Sequence, residues 1–151
     1  MVKGSDMSES NNNTNEESKN QEAKTTVTLY EAMGGAVGVR EMVDRFYDLM
    51  DLEEEFKVLR AVHPADLSGS RDKLFMFLSG WMGGPDLYQE KFGHPRLRAR
   101  HLPFSIGTQE RDEWVTCMGR AMTDVGVPDG LFDRLLESFY GTADWMRNRA
   151  D

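Results

Sequence analysis

Imidazole and guanidinium groups are concentrated in one short stretch, GHPRLRARHLPF at residues 93–104, which holds two of the chain's three histidines together with Arg96, Arg98 and Arg100. Imidazole nitrogens ligate metals or carry protons near neutral pH, and guanidinium groups pair with carboxylates and phosphates. The surrounding chain is acidic, with 18 Lys and Arg against 26 Asp and Glu and a formal charge of -8. Composition therefore gives no reason for a local basic cluster. The third histidine, His63, stands alone before Pro64, and the single cysteine is Cys117. Three scattered histidines and one cysteine lack the short spacings of a structural zinc site. A lone histidine beside a proline is more often a cap or surface group than a ligand. One imidazole does suffice for haem, provided that a core buries the apolar faces of the macrocycle.

A chain of 151 residues is long enough to supply one such core. Residues 1–26 contain almost no large apolar side chains and are expected to form a disordered tail, leaving 27–151 as the folded domain. Apolar residues in that domain recur at helical spacing rather than alternating. Val39, Met42, Val43, Phe46 and Met50 share one stripe, with Tyr47 at its edge. Pro64 pushes its predecessor out of helix, so His63 is expected at a corner. A second helix presents Leu67, Leu74, Phe77, Leu78 and Trp81, and Gly83-Gly84-Pro85 ends it. Residues 86–107 show little periodicity beyond a short turn in which Leu97 and His101 share a face. Thr108 is expected to cap a third helix burying Trp114, Cys117, Met118, Ala121 and Val125, with Glu110 and Asp112 in its first turn. Pro128 opens the last helix, with Leu131, Leu135, Phe139, Ala143 and Met146 in line. The expected fold class is all-α, roughly four substantial helices around one core.

Acidity disfavours nucleic acid and anionic membranes as partners. The longest apolar candidate, LFMFLSGWMGG, is too short for a membrane span. A lone cysteine and the lack of a signal-peptide pattern lead to an expectation of cytoplasmic location.

Several motifs then combine. LYEAMGG, RFYDLM, FLSGWMGGPDLYQEKFGHPRLRARHLPFSIG and ERDEWVTCM, in this order and at these separations, resemble the group II truncated haemoglobins from Thr28 to Met146. The resemblance implies a two-over-two helical sandwich holding haem b, with a largely unwound segment before the proximal histidine. It implies that His101 is the iron ligand, with Leu97 and Phe104 beside the macrocycle and Phe77 and Leu78 among its contacts. Arg100, Lys73 and Tyr88 match polar groups at the haem edge, where two propionates would account for the basic cluster. His94 matches a structural position at the rim, while Arg96 and Arg98 read better as solvated loop side chains. On the other haem face, Tyr47, His63 and Trp114 match a hydrogen-bonding cluster; by periodicity alone, Tyr47 and Trp114 would be ordinary core aromatics. Position 63 is more often tyrosine or phenylalanine in the family, so His63 departs from it, and an unperturbed imidazole there would titrate near neutral pH. Leu74 and Ser70 match an apolar ceiling and a small residue at the pocket entrance.

The small ligands so implied are oxygen, nitric oxide, carbon monoxide or peroxide. Preorganised donors slow oxygen release, which suits nitric oxide or peroxide detoxification better than rapid transport. Sustained turnover as a nitric oxide dioxygenase or peroxidase would require an external reductase. A haem-based sensor or interaction module is the rival reading, and a homodimer is compatible with either.

Overall fold

Thr28 starts the first helix through reciprocal capping. Its hydroxyl oxygen accepts the Glu31 N–H at 3.0 Å, and Glu31 Oε1 accepts the Thr28 N–H at 3.1 Å. A computed structural model describes residues 27–149; the expected tail over 1–26 lies outside the described residues. Helix α1 (Leu29–Ala32) turns at Gly34 and Gly35, both at positive φ, into α2 (Gly35–Leu52). Only glycine fits at position 38 of α2, because a Cβ there would overlap the Met33 carbonyl.

On α2 the predicted stripe is buried: Val39, Met42, Val43 and Phe46 are fully enclosed, and Tyr47 and Met50 nearly so. A 3-10 turn (Glu54–Phe56) leads into α3 (Lys57–Ala61), which ends before the His63-Pro64 corner. Helix α4 (Ser68–Trp81) stops at the glycines, where Gly83 takes a positive φ and the Gly84 N–H donates to Ser79 O at 2.8 Å. Buried Ser79 itself donates to Pro85 O at 2.6 Å, tying the chain reversal to the helix.

Residues 86–107 are more ordered than their periodicity suggests. They contain α5 (Leu87–Phe92) and α6 (Leu97–His101), joined through Gly93 and Arg96, both at positive φ. Helices of five or six residues complete fewer than two turns, too few for a repeat to show. Helix α7 (Thr108–Asp124) is capped at Gly107, one residue earlier than expected. Glu110 Oε1 accepts the Gly107 N–H at 2.9 Å, so Thr108 is the first helical residue, and Glu110 is the acid of the first turn. Helix α8 (Asp129–Trp145) follows Pro128 as predicted.

The main packing runs α2 on α4, α2 on α7 and α7 on α8, giving two helix pairs laid across one another. Phe46 of α2 sits at the crossing, its ring 5.1 Å from Trp114 of α7. Partly exposed ion pairs join the layers at the surface: Arg71 of α4 reaches Asp44 and Asp48 of α2, and Arg45 of α2 reaches Asp124 at the end of α7. Pairs this exposed contribute little stability individually. Among the described residues, no helix is long and apolar enough to cross a membrane.

Candidate functional site

Leu74, Phe77, Trp81 and Trp114 lie on inward helix faces yet are only partly buried. They border a cavity of about 480 Å³ between the helix pairs. Its volume falls within the roughly 300–1,000 Å³ of small-molecule sites. Leu59, Leu74, Phe77, Leu78 and Trp81 supply apolar wall from α3 and α4, with Val62 just past α3, and Phe139 and Ala143 supply it from α8, with Met146 just past its end.

His101 reaches this space from the last position of α6, beside Leu97 and Phe104. Its Nδ1–H donates to Leu97 O at 2.6 Å. That bond selects the tautomer and leaves the Nε2 lone pair available to a metal.

Tyr47, His63 and Trp114 line the same cavity. Tyr47 is 5% exposed, and its hydroxyl has no hydrogen-bond partner among the described residues. Burial pushes its phenol far above the ordinary range, so it keeps its proton and remains a donor. The Trp114 indole N–H is likewise unpaired among the described residues, its ring held against Phe46 and, at 5.5 Å, Phe139. A buried hydroxyl without a partner, as at Tyr47, is rare in folded proteins and points to something that the cavity is shaped to receive.

The His63 ring meets Tyr47 edge-on at 5.9 Å, and its Nδ1–H donates to Leu59 O at 2.9 Å. Neutral His63 therefore keeps Nε2 as an acceptor, on a ring that lines the cavity. Burial, opposed by the Leu59 bond and assisted by the nearby Arg60 guanidinium, holds its pKa below the ordinary 6.5. The expectation of an imidazole titrating freely around neutrality is corrected accordingly.

Tyr88, Lys73 and Arg100 form one rim. The Arg100 guanidinium lies 5.7 Å from the Tyr88 ring centre, and Lys73 Nζ lies 5.7 Å from that of Phe92, which itself packs 4.9 Å from Tyr88. Neither cation pairs with a carboxylate among the described residues, whereas Arg40, Arg45, Arg60, Arg71, Arg111 and Arg120 all do. An anionic group at the rim would meet two uncommitted positive charges. Ser70 also lines the cavity, one turn before Leu74.

His94 is the one predicted site residue not brought to the cavity. It is exposed, and its Nδ1 accepts the Arg96 N–H at 3.1 Å, stabilising the left-handed turn into α6. Arg98 is not a free solvated side chain either: it donates to the carbonyls of Trp145 at 2.6 Å and Arg147 at 2.9 Å. Sequence reading missed Glu110 and Arg111 as lining residues. Glu110 is 7% exposed, neutralised by Arg149 at 2.8 Å. Its placement as a first-turn acid gave no sign of burial.

Profile comparison matches residues 28–148 to the bacterial-like globin family. A group 2 truncated haemoglobin of Bacillus subtilis is 38% identical over 122 residues, covering 81% of this chain and 89% of that protein. The chain belongs to the group II truncated haemoglobins. Among solved structures, the group II 2-on-2 haemoglobin of Agrobacterium tumefaciens is 46% identical, with a TM-score of 0.80 over 84% of this chain and 98% of that one. The structure described as a truncated oxygen-avid haemoglobin from Bacillus subtilis is 38% identical, with a TM-score of 0.75 over 81% and 100% of the two chains. The paired helices of this haemoglobin are thus the two-on-two globin sandwich. Membership implies haem and diatomic ligands, and the cavity suits them: apolar walls for a macrocycle, one free imidazole nitrogen for iron, and two unpaired cations at a rim for carboxylates.

Proposed function

We propose that this haemoglobin holds haem b through His101 Nε2, with Arg100 and Lys73 taking the propionates, and binds diatomic ligands beside Tyr47, His63 and Trp114. Haem b, when bound, supplies the iron that takes oxygen, nitric oxide, carbon monoxide or peroxide. The observation that carries the reading is the buried, unpartnered Tyr47 hydroxyl on the same cavity as a tautomer-locked His101. Tyr47 and Trp114 donate towards a ligand bearing partial negative charge, in a setting where neither donor must leave water to do so. The His63 ring, packed edge-on against Tyr47, limits where that phenol can swing and so helps to aim its hydroxyl at the ligand. Ser70, the small side chain on the cavity wall, leaves ligand a way in. Leu74, Phe77, Leu78 and Leu97 exclude water around the macrocycle, with Tyr88 closing its edge.

Strong donation favours retention over delivery, and the Bacillus subtilis relative is described as oxygen-avid. The physiological use we infer is oxidation of nitric oxide to nitrate or reduction of peroxide, with electrons drawn from an external reductase. Haemin titration followed by absorption spectroscopy tests the haem assignment. His101→Ala is expected to lose stable haem retention, with partial rescue by added imidazole; a variant with wild-type spectrum and occupancy would remove His101 from the axial role. Rapid mixing of ferrous, oxygen-equilibrated protein with nitric oxide tests the use, and the expected product is nitrate.

A further inference from the structure

Helix α6 carries the proposed iron ligand on only five residues, none of them buried, and the segment after it exposes Leu102 and Phe104. A helix this short has little stability of its own. Its geometry must come from elsewhere, and the contacts lead to the C-terminal end of α8.

We infer that residues 145–149 form a clasp whose Asn148, with Arg98 from α6, acts as a positioning residue for His101; this rests on the haem reading above. Asn148 commits its whole amide to the segment after α6. Its Nδ2 donates to His101 O at 3.2 Å and Phe104 O at 2.8 Å, and its Oδ1 accepts the Ile106 N–H at 3.0 Å. Its backbone N–H donates to Ile106 O at 2.9 Å. In the other direction, Arg98 Nη1 donates to the carbonyl of Trp145, the last residue of α8, and to that of Arg147 just past it. Arg149 continues the seam, donating to Ser105 Oγ at 3.0 Å and Glu110 Oε1 at 2.8 Å. A Cβ at Gly107 would come within 2.8 Å of the Arg149 guanidinium, so a larger residue there would make that side chain shift.

The consequence for His101 is geometric. Leu97 O sets the direction of its ring, and Asn148 holds the main-chain carbonyl of the same residue. Two fixed points define where Nε2 projects, and the ring, Ala143 of α8 and Met146 just past its end all border the cavity. Movement of the C-terminal turn would therefore displace the ligand and one wall together.

Asn148→Leu removes the amide at similar volume, and Arg98→Ala removes the reciprocal contact with Arg98→Lys as its conservative partner. In apoprotein labelled with 15N at histidine, the wild-type His101 ring should be the Nδ1–H tautomer, and both disruptive variants should show mixed tautomers, with Arg98→Lys nearer to wild type. In haemin-loaded protein, transfer of haemin to an excess of apomyoglobin should accelerate about two- to tenfold in Asn148→Leu, as expected for losing neutral hydrogen bonds, and at least as much in Arg98→Ala, which loses bonds from a charged donor. If both disruptive variants keep the wild-type His101 ring spectrum and haemin loss rate, the clasp does not position His101, whatever happens to their melting temperatures. Failure of wild-type protein to take up haemin would overturn the haem reading instead, and the ring spectra would still decide the clasp.

Discussion

At the scale of single residues, the distal chemistry depends on which atoms keep their protons. Tyr47 and Trp114 are donors in any ordinary buffer, and each retains most of its ring volume on substitution with phenylalanine. A hydrogen bond to a charged acceptor is worth about 1.5–3 kcal/mol, so removing both donors in Tyr47→Phe/Trp114→Phe should speed oxygen dissociation about tenfold or more. Stopped-flow rates unchanged in the double variant would refute a polar distal pocket. His63 behaves differently, because its Nδ1 proton is committed to Leu59 O and burial lowers its pKa below 6.5. Any response of oxygen dissociation to His63 should then lie at lower pH than an ordinary imidazole would give, displaced to the acid side of about 6.5. The same shift makes stability pH-dependent. Between the lowered folded pKa and 6.5 the unfolded chain binds this proton and the folded chain does not, so stability falls as pH drops through that window. His63→Phe should flatten this part of a denaturation-versus-pH curve. Roles at this scale were legible mainly through motif resemblance, since periodicity alone assigns Tyr47 and Trp114 to an ordinary core.

At the scale of elements, short helices and their junctions decide where the ligands stand. The α1–α2 corner is an example: Gly34 and Gly35 take positive φ, and Gly38 leaves room for the Met33 carbonyl. A Cβ at position 38 meets backbone, which cannot swing aside as a side chain can. Gly38→Ala should therefore cost at least the ~1–3 kcal/mol typical of overpacking, despite alanine's better helix propensity. Chemical denaturation of the two proteins measures this, and a more stable variant would mean that the corner opens without penalty. The long helices were readable because stripes such as Val39, Met42, Val43 and Phe46 repeat over several turns. Helix α5 and the Gly107 cap were not, since a six-residue helix gives no period and a cap set by the reach of Glu110 looks like a Thr108 cap in sequence.

For the molecule as a whole, the cavity of about 480 Å³ between the helix pairs sets what the fold can receive. Phe77, Trp81 and Trp114 face this space rather than one another. Haemin that binds only the folded chain should raise the melting temperature with concentration, by about 2.7 kcal/mol of stabilisation at a hundredfold excess over Kd. Calorimetry with and without haemin measures the shift, and an unchanged transition would show that the cavity does not receive it. Charge follows the same division. Most arginines are committed to carboxylates across helix junctions, while Arg100 and Lys73 remain available at the rim.

Sequence by itself determined the all-helical class, the inward stripes of the long helices, the corner at His63-Pro64, and the family motifs that pick out His101. Those properties are local or repeat along the chain, so they survive without coordinates. Only the tertiary structure decided that His63 presents an acceptor, that Arg98 is tied to the end of α8, that Glu110 is buried, and that His94 stays outside the cavity. Arg98 and Glu110 depend on partners that folding brings close from many residues away, the carbonyls at the end of α8 and the Arg149 charge, while His63 and His94 depend on how local turns aim their rings relative to the cavity. Hydrogen bonds and desolvation act over a few ångströms of space, and no spacing along the chain records that distance.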